Sequence, residues 1–307
     1  GKMGHPDNWL PVRSSLSGRS RKTHPMKKEI FGRWVFNLSL ARQTKRSLVG
    51  DMIDLEKRFG SEGEIAGRYS LNLDLARMSV GHTVGTDNPT RAILDKCAEI
   101  DRTGGIYFDE ARFERLYNKM KLERIGLTLG NLGVAAPPIS DLPAWCYVSP
   151  WDEGTARDKF VHYPHQVKRN RASNGLRIET DDPRQIMEVD AANGGRSHAA
   201  QFARLFSSIS GTGYRIDLEG KDPLQASILL DDRSWCWKLE SGHHRVLVAS
   251  MLGLEMLPVA IRRVIPASTA RFWPGVRSGD YTAETAARHL AQVISGPNKA
   301  EAVQAIP

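Results

Sequence analysis

The stretch Trp235–Ile261, WCWKLESGHHRVLVASMLGLEMLPVAI, decides the fold prediction for this chain of 307 residues. Trp235–Leu239 has the alternating pattern of a β-strand. Gly242 permits a tight turn, and Arg245–Leu252 has the apolar face of a short helix. Leu257–Ile261 is a second strand, apolar except for one proline. A strand–turn–helix–strand unit of this length allows parallel pairing, so the pattern predicts that its two strands are parallel neighbours.

The turn of this unit carries the residues best suited to chemistry. Gly242, His243, His244 and Arg245 lie at a predicted helix N-terminus, where free backbone N–H groups and the helix dipole favour an anion. The arginine offers paired donors that match phosphate oxygens, and imidazoles are donors whose charge changes near neutral pH. The alternative is a capped helix whose arginine braces the sheet. The strand-and-helix setting favours phosphate binding.

These residues resemble the signature of the ParB/sulfiredoxin-like superfamily, in which a strand leads into a Gly-x-x-Arg turn, a helix, Leu-Gly and a Val-Pro-Val-type strand. Its members bind a nucleotide phosphate at the turn, and they include CTP-hydrolysing partition proteins, sulfiredoxin and an ADP-dependent free-serine kinase. The residues that carry the resemblance are Glu240-Ser-Gly-His-His-Arg245, Ala249, Leu252-Gly253 and Leu257-Pro258-Val259.

A looser resemblance covers residues 150–300 and is closest to uncharacterised ParB-like proteins of surface-polysaccharide gene clusters. The N-terminal 130 residues resemble no family. The matching positions of the looser resemblance are Trp151-Asp152, Arg169-Asn170-Arg171, Gly175, Asp182-Pro183, Gly195-Arg196, Ser208-Ile209, Gly213-Tyr214, Trp273–Val276 and Gly279.

Three departures from the family narrow the expected function. Many members have Asp before the glycine of the turn, where it can hold Mg²⁺, and this chain has Ser241 there. Sulfiredoxin needs a cysteine in the turn, and this chain has His243 and His244 instead. Partition proteins continue into a helix-turn-helix domain, whereas about 45 residues follow Ile261 here. Peroxiredoxin repair and chromosome partitioning are therefore not expected.

The resemblance and the turn together predict a nucleotide-binding protein that uses ATP, ADP or CTP, with Mg²⁺. We expect a small-molecule kinase or a nucleotide hydrolase, because phosphoryl transfer depends on positioning and charge neutralisation. The nucleotide and a small-molecule acceptor are the expected partners. The candidate catalytic residues are His244, His243 and Glu240, and the candidate phosphate ligands are Ser241, Gly242, His243, His244, Arg245, Arg196 and Arg171.

Two other functions remain open. The formal net charge of +8 favours anionic partners, so a DNA-binding protein or nuclease of the ParB-like class is one alternative. The other is a non-catalytic nucleotide-sensing scaffold whose helical N-terminal half is the partner surface.

Composition divides the chain into four predicted parts in an α+β fold: a flexible basic arm (1–28), a mainly helical domain (29–140), a ParB/sulfiredoxin-like mixed-sheet domain (141–265) and a C-terminal helical extension (266–307). The arm has too little apolar surface to offset its ordering entropy. Helices are predicted around Leu48–Phe59, from about Asp87 to Ile100, and over Asp109–Met120, Ala199–Ile209 and Ala283–Ile294.

Four further patterns each have a structural explanation as well as a functional one. His162 and His165 have metal-compatible spacing, but Pro164 makes a regular helix awkward there. The run Lys168–Arg171 is typical of a solvated helix end, with an anion site as the alternative. Gly194–His198 is a second phosphate-cradle candidate. The acid pairs Asp181-Asp182 and Asp231-Asp232 suit turns, although one acid could supply a magnesium ligand or a general base.

The three cysteines are scattered, and no apolar stretch is long enough to span a membrane. We therefore expect a cytoplasmic protein without a disulfide framework or a thiolate zinc site.

Overall fold

The computed structural model describes residues 36–37, 68–78, 81–100, 105–133, 139–214, 224–232 and 234–296. The predicted basic arm (1–28) and the predicted helix around Leu48–Phe59 lie outside these residues. The fold that they form is α+β, as predicted, with helices packed against a mixed sheet.

One mixed sheet organises the described chain. The strands are β1 (Phe36–Asn37), β2 (Arg68–Asn72), β3 (Ala76–Arg77), β4 (Ala98–Ile100), β5 (Ile106–Phe108), β6 (Gln225–Leu230), β7 (Trp235–Ser241) and β8 (Met256–Pro266). The main sheet has the order β1–β2–β8–β6–β7–β3, and β4 pairs with β5 separately. β6 is antiparallel to β7 and parallel to β8, while β2 is antiparallel to β8 and β3 is parallel to β7.

The prediction that the strands ending at Leu239 and beginning near Leu257 are parallel neighbours is wrong. β6 lies between them, and β8 pairs in parallel with β6 instead. The reason is that β6 and β7 form a hairpin before the helix, so the crossover spans one strand. β6 is apolar on both faces, because Ile228, Leu229 and Leu230 are all buried, and such a strand favours an interior position.

Three of the helices begin at residues whose side chains cap them. Asn88 accepts hydrogen bonds from the backbone of the first helix, Asp109 from that of the second and Thr282 from that of the last. The helices are α1 (Pro89–Cys97), α2 (Glu110–Ile125), α3 (Ala156–Ala172), α4 (Pro183–Asn193), α5 (Gly195–Thr212), α6 (His243–Met251), α7 (Pro274–Arg277) and α8 (Ala283–Ser295).

The helix predictions that fall on described residues are confirmed. α1 ends at Cys97 rather than near Ile100, because the chain turns there into β4. The predicted helix over Arg245–Leu252 corresponds to α6, which begins two residues earlier and ends one residue earlier. Among the described helices, none combines the length and the apolar character needed to cross a membrane.

The two faces of the sheet carry separate apolar cores. Trp237 and Leu239 of β7 belong to the larger core, which includes side chains of α1, α2, α5 and α6. Cys236 belongs to the second core, with Trp273 and Leu290 of the C-terminal segment. Since side chains alternate along a strand, Lys238 and Glu240 lie on the same face as Cys236.

Segments on both sides of residue 140 contribute to the main sheet. β2 pairs with β8, and β3 pairs with β7. Leu71, Leu73 and Ala76 are buried in the larger core, so this segment contributes apolar side chains to the same core as the later strands. The predicted domain boundary stays a prediction, and the segment expected to be mainly helical also contains strands β1 to β5.

Candidate functional site

The turn between β7 and α6 requires glycine. Gly242 has a φ of +89°, and a Cβ added there would lie 2.1 Å from Cδ2 of Leu224. A larger residue would meet both backbone strain and a clash. The N–H of Val246 donates to the carbonyl of Gly242 at 3.1 Å, which begins α6. The amides of His243 and His244 belong to the first turn of α6, where N–H groups have no carbonyl partner within the helix.

The Arg245 side chain folds back over this turn. A Cβ added to Gly242 would lie 3.2 Å from Nη2 and 3.4 Å from Nε of Arg245. The guanidinium also acts on Tyr214: burial raises the pKa of that phenol to about 12, and the positive charge of Arg245 opposes the rise. The turn therefore presents a positive charge beside the helix N-terminus.

The second sheet face carries a group of charged side chains next to the turn, which we name the strand-face cluster: Asp152, Ser227, Lys238, Glu240 and Arg263. Ser227 donates its hydroxyl to Oε1 of Glu240 at 2.7 Å. Nζ of Lys238 lies 3.1 Å from Oδ2 of Asp152 and 3.6 Å from Oε2 of Glu240. Arg263 pairs with Asp152 and donates from Nε to Oγ of Ser227 at 3.2 Å.

This cluster is partly accessible to solvent. The side chains of Asp152 and Glu240 are 23% and 27% exposed, and that of Arg263 is 39% exposed, whereas Lys238 is only 9% exposed. The two carboxylates are balanced by two cations. A small molecule could reach the carboxylates and Arg263 without unfolding the sheet.

The charges of the strand-face cluster act on His243 in the turn. Burial lowers the pKa of His243; the charge of Lys238 lowers it further, and Glu240 partly offsets both effects. At neutral pH the imidazole is therefore uncharged, and it is close enough to both strand residues to sense their charges.

His244 belongs to a second group of side chains on the other side of the turn. We name this group the helix cluster: Arg171, Asp190, Ser197, His198 and His244. Nδ1 of His198 lies 2.9 Å from Nε2 of His244, and Nη2 of Arg171 lies 3.2 Å from Nε2 of His198. Arg171 also pairs with Asp190 and donates to the hydroxyl of Ser197.

Both imidazoles of the helix cluster are neutral at physiological pH. Burial lowers the pKa of His198 to about 3, and the nearby charges of His244 and Arg171 contribute in the same direction. Burial, followed by His243, lowers the pKa of His244 to about 4. The sequence-based expectation of charge changes near neutral pH is therefore wrong for His244.

The structure joins Arg171 to the turn but not Arg196. The solvated-helix-end interpretation holds for Arg169 and Asn170, which are exposed, and it is wrong for Arg171, whose side chain is 14% exposed. Arg196 is exposed at the start of α5, and among the described contacts none connects it with Gly242 or its neighbours.

The glycines before Arg196 are explained by close packing. A Cβ on Gly194 would lie 2.8 Å from Nη2 of Arg171, and one on Gly195 would lie 2.5 Å from Oδ1 of Asn118. The amide of Gly195 already donates to that oxygen at 2.8 Å. Protein groups therefore occupy the place where the second phosphate cradle was predicted.

The remaining sequence candidates have structural roles. His162 and His165 lie within α3, which continues through Pro164, so the expected interruption of the helix is wrong. Asp182 caps α4, and Asp231 accepts from the amide of Ser234 in the β6–β7 turn. In the described part of the chain, no group of three or more His, Cys, Asp or Glu side chains is arranged to hold a metal ion.

Sequence reasoning missed most of the strand-face cluster. Ser227, Lys238 and Arg263 come from three different strands, and Asp152 comes from the loop before α3. Two signals were available: Lys238 interrupts an apolar strand two residues before Glu240, and Arg263 follows the apolar start of β8. A charged residue within a buried strand needs a partner of opposite charge, which points to residues of this kind.

The turn therefore lies between two polar groups of different character. One is accessible and built of ion pairs on the strands, and the other is buried and built of imidazoles and a guanidinium between helices. Together they offer donors for an anion at Arg245 and a carboxylate at Glu240 that could accept a proton.

No protein-family model, curated protein or solved structure matches this chain.

Proposed function

We propose that this protein binds a nucleotide with its phosphates at the Gly242–Arg245 turn and transfers the terminal phosphoryl group to a small acceptor or to water. The observation that carries the proposal is the left-handed Gly242, which opens α6 beneath the Arg245 side chain. Amides of a first helical turn and a guanidinium together favour phosphate oxygens. The motif-level resemblance to the ParB/sulfiredoxin-like superfamily supports the same site.

The strand-face cluster supports the chemical step. In such a transfer, the acceptor oxygen forms a bond to phosphorus while the bond from phosphorus to the leaving phosphate oxygen breaks. Glu240 is placed to take the proton of the acceptor hydroxyl, since its side chain is 27% exposed and it directly precedes Ser241 of the turn. Arg263 and Lys238 would neutralise charge on the phosphates, which is the main protein contribution to phosphoryl transfer.

The described carboxylates do not form a ready magnesium site. Asp152 is paired with Lys238 and Arg263, and Glu240 lies 3.6 Å from Lys238. A divalent cation there would have to displace these cations, and Ser241 offers no carboxylate. No step of the proposed mechanism therefore depends on a protein-held metal ion.

Calorimetric titration with ATP, ADP, CTP and duplex DNA, together with a phosphate-release assay, tests the proposal. Nucleotide binding with turnover supports it. Nucleotide binding without turnover would favour the scaffold function, and salt-sensitive DNA binding alone would favour the nucleic-acid function.

Variants of Arg245 provide the sharpest test. We expect Arg245→Ala to weaken nucleotide affinity by about tenfold or more, roughly 1.5–3 kcal/mol, because it removes charge-assisted hydrogen bonds. Arg245→Lys should recover only part of the affinity, since an ammonium lacks the planar fork. His244→Ala should reduce turnover more than binding if its imidazole stabilises the transition state.

The matched control is Arg204→Ala, which removes an exposed arginine of α5. It should leave affinity unchanged. If Arg245→Ala lowered the melting temperature but left the nucleotide affinity of the folded protein unchanged, Arg245 would be a structural brace and the proposal would fail.

A further inference from the structure

A chain of hydrogen bonds ends at His244 and constrains where its proton lies. Arg171 lies 3.2 Å from Nε2 of His198 through its Nη2 atom. A guanidinium has donors and no acceptor, so Nε2 of His198 must accept this bond. Asp190 and Ser197 hold Arg171 in place through its other nitrogens.

The acceptor role of Nε2 determines the next bond. A neutral imidazole has one protonated nitrogen, so the proton of His198 is on Nδ1. That atom lies 2.9 Å from Nε2 of His244 and must donate to it. Nε2 of His244 is then an acceptor, and the proton of His244 is on Nδ1.

The surroundings of His244 keep both rings neutral. His198 and the apolar ring of Phe202 face it from α5, with centroids 5.1 and 4.7 Å away. Arg171 of α3 stands behind His198, and His243 precedes it on α6. A positive charge on His244 would thus lie in a buried region that already contains a guanidinium.

The charges that reach the pair from α2 act in the same direction. Lys121 opposes protonation of His198, and the ring of Tyr117 packs against His198 with a centroid distance of 4.8 Å. The only negative charge among the helix-cluster side chains is that of Asp190, which is paired with Arg171.

We infer that Arg171 and His198 are positioning residues that hold His244 in the tautomer with its proton on Nδ1. The consequence rests on the proposed function: His244 gives the nucleotide site a fixed neutral donor and does not shuttle protons near neutral pH. The tautomer itself follows from the hydrogen-bond chain and does not depend on a nucleotide.

Nitrogen-15 NMR of the ligand-free, full-length protein tests the tautomer directly. We expect His198 and His244 to show a protonated Nδ1 and an unprotonated Nε2, without change from pH 5.5 to 8. His198→Asn and His244→Asn assign the signals. A protonated Nε2 on His244, or titration of His244 within this range, would overturn the inference.

A pair of variants separates positioning from mere packing. An asparagine at position 198 keeps an amide donor close to where Nδ1–H was, whereas His198→Phe keeps a ring and removes the donor. We expect His198→Phe to leave Nε2 of His244 without its donor, so that the nitrogen-15 spectrum shows both neutral tautomers of His244 instead of one. His198→Asn should keep Nδ1 of His244 protonated.

His162→Asn is the control, because His162 is exposed on α3. Equal tautomer populations of His244 in the Asn and Phe variants at position 198 would contradict a positioning role. If no nucleotide binds at all, the proposed function fails while the NMR result still decides the tautomer. If His198→Phe does not fold, the spectrum of the unaltered protein remains decisive.

Discussion

The strand-face cluster and the helix cluster meet at the same turn but differ in accessibility. In the strand-face cluster, the carboxylates of Asp152 and Glu240 are about one quarter exposed. In the helix cluster, the side chain of Asp190 is 7% exposed and that of Arg171 is 14% exposed. Both contain an arginine paired with an aspartate, so the difference lies in the surroundings rather than in the chemistry of the pair.

That difference separates two roles. An accessible ion pair contributes little to stability but remains available to a ligand. A buried pair that loses one member leaves an uncompensated charge, which is strongly destabilising. The strand-face cluster is therefore suited to contact substrate, and the helix cluster is suited to hold His244 in place.

Mild acid should have the largest effect and should act mainly on the helix cluster. The pKa is lowered to about 3 for His198 and to about 4 for both His244 and His289, mainly by burial. Unfolded histidines bind protons below about pH 6.5, whereas these folded ones do not. The contribution of these neutral histidines to the free energy of unfolding is therefore fully present above about pH 6.5. It falls as the pH decreases towards 4, by about 1.4 kcal/mol per pH unit for each histidine.

Denaturant unfolding between pH 7 and 5 measures this slope. His289 lies on the opposite sheet face, stacked on Trp151, so His289→Phe should remove only its own part of the histidine slope, to which His82 and His243 also contribute through their lowered pKa. Replacement of both His198 and His244 should remove more. An unchanged slope in the double variant would show that the helix cluster is not the acid-sensitive region.

Arg171→Met should cause the next largest loss, about 3–5 kcal/mol of unfolding free energy, because it leaves Asp190 charged and buried. Combining it with Asp190→Asn should recover a large part of that loss. Arg169→Met is the matched control, since Arg169 is exposed two residues earlier. Chemical denaturation measures all three variants, and equal losses for Arg171→Met and Arg169→Met would contradict the buried pair.

Gly242→Ala should cost about 2–4 kcal/mol, from left-handed backbone strain together with the clash with Leu224. Gly253 is a suitable comparison, because its φ is +74° and an added Cβ there has nothing within 4 Å. Gly253→Ala should therefore cost only the strain, about 1 kcal/mol. Thermal unfolding of both variants isolates the effect of the clash, and equal shifts in melting temperature would argue against close packing at the turn.

Arg263→Met should have the smallest effect on stability, about 1 kcal/mol or less, because its side chain is 39% exposed and Lys238 still pairs with Asp152. If the strand-face cluster neutralises phosphate charge, the variant should lose turnover while its melting temperature changes little. Phosphate release and melting temperature are measured on the same preparation. A stability loss as large as that of Arg171→Met would remove the distinction between the two clusters.

Local signals in the sequence were sufficient for the helices and for the turn. The helices that follow Asn88 and Asp109 begin where the sequence predicts them, since a cap acts within a few residues. Gly242 was identified as the turn glycine for the same reason. Strand order was not predictable in this way, because the position of β6 between β7 and β8 depends on pairing between distant segments.

The candidate site was predictable only where its residues are consecutive. The sequence by itself determined Glu240–Arg245 as the end of a strand and the start of a helix, because turn geometry and helix initiation are local properties of the chain. Only the tertiary structure decided that Arg171 and His198 reach His244, and that Lys238 and Arg263 share Asp152. These partners are brought together by the packing of helices and strands that are distant in the chain. Each contact is then costly to lose, because its loss would leave a buried charge or donor unpaired.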